Sequence, residues 1–146
     1  MSKVIAILAT MDTKGAESDF IRQEIENLGG KAILIDVGVI GKVTVPIDIS
    51  NNEVASEGGG SMDEILKNPT RQDATPFLIK GSIRIINEKL IKGEVHGLIA
   101  LGGSQGTTLC AQVMQSLPYG FPKVMLSTVA SGDTAPFVDI KDITMM

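Results

Sequence analysis

The feature that most constrains the fold is an alternation of short apolar runs with segments of helical spacing. Residues 4–9 and 32–35 are continuous apolar runs with β-branched members and polar flanks, a pattern typical of strands buried on both faces of a sheet. Between them, apolar residues recur at helical spacing until Gly29-Gly30, where a helix end is expected. These residues predict a right-handed strand–helix–strand unit with two parallel, neighbouring strands.

The second half of the chain repeats this alternation. Runs at residues 97–101 and 124–126 predict a third and a fourth strand, and residues 140–146 suggest a fifth. A helical pattern covers residues 107–117. Another follows Thr75-Pro76, where Thr75 is expected as the N-cap and Pro76 as the first helical residue.

The whole pattern predicts one α/β domain over residues 1–146. We expect a Rossmann-like, doubly wound, mostly parallel sheet of four to five strands with helices on both faces. The composition agrees, because 43% of residues are hydrophobic but only 3% are aromatic. Ile, Val, Leu and Ala must therefore fill the core, which suits a buried parallel sheet.

Charge and hydropathy narrow the classes of partner. The net charge is -4 and no segment gathers Lys and Arg, so nucleic acid is not expected as a partner. The amino-terminal sequence lacks the pattern of a signal peptide, and no apolar stretch nears the length of a membrane span. We therefore expect a cytoplasmic protein without a membrane partner. The single cysteine, Cys110, lies in an apolar helical pattern and is expected in the core.

Residues 38–60 interrupt the alternation. They include Pro46 and a run of three glycines at 58–60, which predicts an excursion from the sheet without regular structure. After this excursion, Ser61 and Glu64 have the spacing of a capping box. That spacing predicts a short helix, which Pro69 is expected to end.

Candidate binding residues gather in the loops after the predicted strands. Parallel strands end at one edge of the sheet, where α/β folds bind ligands. The loop at residues 102–107 is the strongest local signal, because its glycines let backbone amides approach an anion and the next helix presents its positive end. We predict nucleotide phosphates on this loop. The predicted nucleotide-binding residues are Asp12, Thr13, Lys14, Gly15, Asp36, Gly102, Gly103, Ser104, Gln105, Gly106, Thr107, Ser127, Thr128, Ser131 and Gly132.

The charged members of this set have two interpretations each. Asp36 ends the second strand, where nucleotide-binding sheets often place an acid on ribose hydroxyls, but it could instead cap a turn. Lys14 could pair with phosphate as a point charge or be solvated. Asp133 could help to hold Mg²⁺ on phosphates, yet one carboxylate does not define a metal site, so none is predicted. Neither the dinucleotide fingerprint nor the Walker A pattern is present.

Two other classes of function stay open. Residues 102–106 match the nucleophile-elbow pattern, which would make Ser104 the nucleophile of a small-molecule hydrolase or transferase. Its base should be a histidine, but His96 is expected at the opposite edge of the sheet, which leaves Lys14 as a substitute. No catalytic residue is therefore assigned. The other alternative is an oligomerisation or interaction module that needs a second lobe.

Three segments together carry a family resemblance. Residues 10–15 (TMDTKG), 102–107 (GGSQGT) and 122–133 (PKVMLSTVASGD) resemble the family that includes the tomato mosaic virus resistance protein. The resemblance implies a Rossmann-like, ATP-binding amino-terminal lobe of a longer, two-lobed and oligomeric protein, with ATP as the cofactor. Mg²⁺ on the ATP phosphates is the further expectation attached to Asp133. Gln105 stands where the family's loop often has another glycine, which would alter the phosphate pocket.

Overall fold

The computed structural model describes residues 1–67 and 71–146, without the side chains of residues 71 and 72. Over these residues, five parallel strands form one sheet in the order β2-β1-β3-β4-β5. The sheet is therefore wholly parallel where a mostly parallel one was predicted, and the predicted α/β class is confirmed. The strands are β1 (Val4–Ala9), β2 (Lys31–Asp36), β3 (Gly97–Gly102), β4 (Lys123–Ser127) and β5 (Ile143–Met145).

Helices connect the strands and cover the sheet. The described helices are α1 (Met11–Asn27), α2 (Asn51–Glu57), α3 (Met62–Leu66), α4 (Arg71–Ile91), α5 (Ser104–Gln115) and α6 (Ala135–Val138). None of these helices combines the length and the apolar character that crossing a bilayer requires.

The central strand β1 shows why the apolar runs are continuous. Ala6 and Leu8 belong to the larger core cluster, which includes residues of α4 and α5, whereas Ile7 and Ala9 belong to the cluster beneath α1. All four residues are fully buried. Successive side chains of a strand point to opposite faces, so a strand covered on both sides needs apolar residues at every position.

Residues 38–60 contain a helix that the sequence analysis did not predict. Ser50 caps α2 through a capping box, in which the Glu53 amide donates to the Ser50 hydroxyl at 3.3 Å and the Ser50 amide donates to the Glu53 carboxylate at 2.8 Å. The capping box predicted at Ser61 is wrong, because that side chain makes no cap bond to the short α3. The sequence spacing permits the reciprocal bonds, but local geometry decides whether they form. The predicted end at Pro69 lies outside the described residues.

The predicted start of α4 at Thr75-Pro76 is also wrong. The helix begins at Arg71, and Pro76 lies inside it. A proline in this position removes one backbone hydrogen bond. Ala74 and Leu78, on either side of Pro76, are both fully buried, so tertiary packing holds the chain in a helix across the proline.

Two segments that were predicted as loops are helix amino ends. The first helix begins at Met11, so most of residues 10–15 are its first turns. The helix α5 begins at Ser104 with Gly103 as its N-cap, so residues 102–107 join strand and helix almost directly. Both predicted ligand loops are therefore rigid helix starts at the carboxyl edge of the sheet.

Candidate functional site

A cleft of about 750 Å³ opens where β1 and β3 end. The strand order reverses there, because the chain runs from β1 to β2 on one side and returns to β3 on the other. Doubly wound sheets bind their ligands in the crevice at this topological switch point. We call the opening the switch-point cleft. Its polar lining includes Thr10, Asp12, Ser104, Gln105, Gly106 and Thr108, and its apolar lining consists chiefly of Val37, Val39, Leu78, Ile79, Ile83 and Leu109.

The amino end of α5 has no side-chain cap. Gly103 is the N-cap and has no side chain that could accept, and the first turn contains no acidic residue. Thr107 is the first residue of α5 whose N–H makes an i→i−4 hydrogen bond, which it donates to the Gly103 carbonyl at 2.8 Å. Ser104 and Gly106 of that first turn line the cleft. The positive end of a helix dipole is therefore presented to whatever occupies the cleft.

Two glycines at this junction have different roles. A β-carbon on Gly102 would overlap the backbone nitrogen of Thr107, so the tight passage from β3 into α5 requires glycine there. A β-carbon on Gly106 would meet the nearest Thr10 side-chain atoms at 3.9 Å, which is an ordinary contact. Gly106 lines the cleft, and the packing around it does not require a glycine.

The amino end of α1 is already occupied by an acid. The Oδ1 atom of Asp36 accepts from the Met11 amide at 3.0 Å and from the Gly38 amide at 2.8 Å. Asp36 is 1% exposed and does not line the cleft. Burial raises the pKa of its carboxyl, and the charge of Asp12 adds to that effect. The structure thus shows the capping alternative for Asp36, whose Oδ1 atom accepts inside the protein, and the ribose contact stays a prediction.

Asp12 does reach the cleft. Its Oδ2 atom accepts from the Gly41 amide at 3.1 Å, which ties the segment after β2 to the first turn of α1. Its Oδ1 atom is buried without a hydrogen-bond partner. Asp12 and Asp36 thus place negative charge at the start of α1, whereas the first turn of α5 has no acidic residue.

The basic residue at the cleft is Lys80 rather than Lys14. Lys14 pairs with Glu17 at 3.3 Å and lies off the cleft lining. Lys80, on α4, is exposed and is the one basic residue in the described lining. Lys80 is absent from the predicted set because the helical pattern of α4 predicts only an apolar face that covers the sheet. The i, i+3 spacing of Lys80 and Ile83 is the sequence signal that places both on one side of the helix.

The remaining predicted residues lie outside the lining of the cleft. The Thr13 and Thr10 hydroxyls are 2.8 Å apart, and the buried Thr107 hydroxyl lies 2.6 Å from that of Ser127, which joins α5 to the end of β4. Gly15 is buried and faces Val45. Four predicted residues line the cleft, namely Asp12, Ser104, Gln105 and Gly106. Those outside the lining are Thr13, Lys14, Gly15, Asp36, Gly102, Gly103, Thr107, Ser127, Thr128, Ser131 and Gly132.

Ser104 lacks the geometry of a nucleophile elbow. That motif places its serine in a strained turn, but Ser104 is the first residue of α5, and Asp139 is the one non-glycine residue with positive φ in the described chain. His96 lies at the opposite edge of the sheet, as predicted, where its Nδ1 accepts from the Val4 amide at 3.1 Å.

Asp133 and Cys110, the other two side chains considered in the sequence, both have structural surroundings that account for them. The carboxylate of Asp133 accepts from the Ala135 amide at 3.0 Å at the start of α6. Cys110 is fully buried, as expected, and burial raises the pKa of its thiol to about 12. Across the part of the chain that the structure describes, no three His, Cys, Asp or Glu residues are grouped as metal ligands would be.

Comparison with known proteins gives relatives without an assigned activity. The chain is 45% identical over 146 residues to a UPF0261 protein of Clostridium tetani, covering all of this chain and 36% of the relative. It is 38% identical over 144 residues to a UPF0261 protein of Mesorhizobium japonicum, covering 99% of this chain and 35% of the relative. The chain thus spans about a third of the length of these relatives.

A plant protein is a more distant relative. The ToMV susceptible protein tm-1(GCR26) of Solanum lycopersicum is 31% identical over 159 residues, which cover 94% of this chain and 20% of the plant protein. The tomato mosaic virus resistance protein therefore does not represent the family as a whole. The protein-family model that matches residues 3–146 describes the N-terminal domain of an uncharacterised protein family, UPF0261. This chain belongs to that family, UPF0261.

Proposed function

We propose that the domain binds ATP or a related nucleotide in the switch-point cleft, with the phosphates at the amino end of α5. The observation that carries this proposal is the uncapped first turn of α5 at the rim of a cleft of about 750 Å³. Ser104 and Gly106 precede the first intrahelical N–H bond of α5, and backbone amides at such a position are aligned with the helix dipole and bind phosphate. The volume is within the range of sites for small molecules and cofactors.

The distribution of charge supports one orientation of the ligand. Asp36 already caps α1, and Asp12 lies beside it, so an anion would be repelled from that side. The first turn of α5 has no acid, and Lys80 extends from α4 along the same cleft. The ligand's negative group therefore belongs at α5, within reach of Lys80.

The apolar lining supports a ligand with a hydrophobic body. The cleft is lined by Ile79 and Ile83 of α4, by Leu109 of α5, and by Val37 and Val39, which follow β2. An inorganic phosphate or a sugar phosphate would leave this surface in contact with water. A nucleotide would cover it with a planar base, since binding sites combine apolar walls with a few polar groups that fix orientation.

Calorimetry on the purified chain tests the proposal. We expect saturable binding of ATP and ADP, measured with and without Mg²⁺, and weaker binding of a sugar phosphate. Absence of both binding heat and thermal stabilisation at millimolar ATP, ADP and sugar phosphate, with a folded sample, would overturn it.

Two isoleucines of α4 provide a matched pair of variants. Ile79 and Ile85 are both half-buried, but only Ile79 lines the cleft. Ile79→Glu should weaken nucleotide binding, because it places a like charge and a polar group beside the ligand. Ile85→Glu should leave binding unchanged in protein that has folded. Equal effects of the two substitutions would point to a general loss of stability instead of a ligand contact.

A further inference from the structure

The face of the sheet beneath α1 is covered only in part. Ile99, Val124 and Thr144 are register neighbours across β3, β4 and β5 and lie on this face. Ile99 and Val124 are half-buried, and Thr144 is exposed. Exposure on this face therefore increases from the centre of the sheet toward β5.

A second row shows the same gradient. Leu101, Leu126 and Met146 follow the first row by two residues on each strand, and the Met146 carbonyl accepts from the Ser127 amide at 2.9 Å. Leu101 is buried, Leu126 is half-buried and Met146 is 68% exposed. We call these two rows the open face: Ile99, Val124, Thr144, Leu101, Leu126 and Met146.

The opposite face of the same strands is closed. Lys123, Met125 and Ile143 alternate with residues of the open face, and all three are buried. There α5 packs on β3 and β4, and α6 packs on β5. On the open side, α1 packs on β1 and β2 and has fewer contacts with β3. In the described chain, no helix packs on β4 and β5 from that side.

We propose that the open face is the docking surface for the carboxyl-terminal region that the longer relatives carry. A parallel sheet is almost always covered on both faces, and the open face consists mainly of apolar side chains. The matched family region is an N-terminal domain, and it accounts for only 36% and 35% of the two bacterial relatives. Those proteins therefore have a large region that can cover the face with an apolar surface of its own.

The position of the open face favours this occupant over the others. It includes β5, the last strand of the matched domain, so a chain that continues from β5 starts at the edge of the face. The three clefts described for the domain have linings that do not include Val124, Leu126 or Thr144, which favours a broad docking surface over a small-ligand site. The proposal does not depend on nucleotide binding, because the switch-point cleft lies elsewhere.

Cysteine labelling in a fused chain tests the proposal. This chain is joined to the region of the Clostridium tetani relative that follows its matched domain, and Thr144→Cys is introduced into both the fused and the isolated chain. Cys110 is fully buried, so it does not compete for a maleimide. We expect labelling of the new cysteine to slow by roughly tenfold or more on fusion, because docking must open before the thiol reacts. Glu88→Cys, on exposed α4 surface, is the matched control and should react at the same rate in both chains.

Two results would overturn the proposal. One is equal labelling of Thr144→Cys in a folded fused chain and in the isolated chain. The other is protection that appears in the isolated chain as its concentration rises, since that would make a second copy the occupant. If the fused chain does not fold, co-expression of the two pieces decides. The two unsubstituted pieces should co-purify, and their failure to do so overturns the proposal. Val124→Asp in the first piece should abolish co-purification, whereas the control Glu88→Lys should leave it unchanged.

Discussion

The carboxylate of Asp36 accepts a hydrogen bond from the Met11 amide at 3.0 Å, so the last residue of β2 caps the helix that begins after β1. The same oxygen accepts from Gly38 at 2.8 Å. This contact replaces a local cap, because the N-cap residue Thr10 makes no side-chain cap bond. It also uses the carboxylate that the sequence had suggested for a ribose.

Replacing Asp36 should therefore cost stability before it affects binding. Asp36→Ala leaves two buried amides without their acceptor, and we expect the free energy of unfolding to fall by about 2–4 kcal/mol. Asp36→Asn retains an acceptor oxygen and should lose less. Urea denaturation measures both variants. A loss for Asp36→Ala no larger than that for Asp36→Asn would show that the two bonds contribute little.

The raised pKa of Asp36 predicts a pH dependence of stability with a definite sign. Burial is its main cause. Between the unfolded value, roughly 3.9, and the raised folded value, the native state binds more protons than the unfolded state, so stability falls as pH rises through that window. Asp36→Asn removes this contribution. The unfolding free energy of the wild type minus that of Asp36→Asn should decrease with rising pH from about 3.9 upward; a constant or an increasing difference would contradict the prediction.

Lys80 and Lys14 should behave differently in nucleotide binding. Lys80 lines the switch-point cleft, whereas Lys14 pairs with Glu17 outside its lining. Lys80→Ala should weaken ATP binding by roughly fivefold, which corresponds to about 1 kcal/mol for a partly solvated charge contact. Lys14→Ala is the control and should bind as the wild type does. Calorimetry would refute this assignment if Lys14→Ala had the larger effect.

The two glycines at the start of α5 should respond in opposite ways to alanine. In Gly102→Ala the new methyl group overlaps the Thr107 nitrogen, so the backbone must shift, at a cost of about 1–3 kcal/mol. In Gly106→Ala the methyl group makes ordinary contacts, and the variant should be as stable as the wild type or up to about 1 kcal/mol more stable. Thermal unfolding of the two variants checks the difference. Destabilisation of equal size would mean that the tight turn at Gly102 is not the constraint.

Cys110 should react with thiol reagents only when the protein opens. Its side chain is fully buried, and burial raises the pKa of the thiol to about 12, so almost no thiolate exists at neutral pH. The labelling rate should rise steeply across the urea unfolding transition and remain low below it. Rapid labelling of the native protein would show that α5 opens locally, which can be tested by adding nucleotide.

Much of the fold could be predicted from the sequence because the signals are local and strong. The bounds of β1 agree with the prediction. The strand β3 is one residue longer than predicted, and β4 is two residues longer than predicted. The helix α2 was not predicted, although Ser50 and Glu53 have the capping-box spacing. The same spacing was used as a helix signal at Ser61, where the cap bond does not form. The start of α4 before Pro76 could not be predicted, since the burial of Ala74 and Leu78 outweighs the local preference of proline.

The sequence by itself determined the α/β class, the parallel arrangement and the edge of the sheet at which the switch-point cleft opens. These follow from the period of the apolar residues and from the handedness of crossovers, which are properties of neighbouring positions in the chain. Only the tertiary structure decided which polar groups are free for a ligand. Asp36 caps α1, and Lys80 lines the cleft, because residues far apart in sequence lie close together at the switch point. No local sequence pattern specifies these long-range contacts.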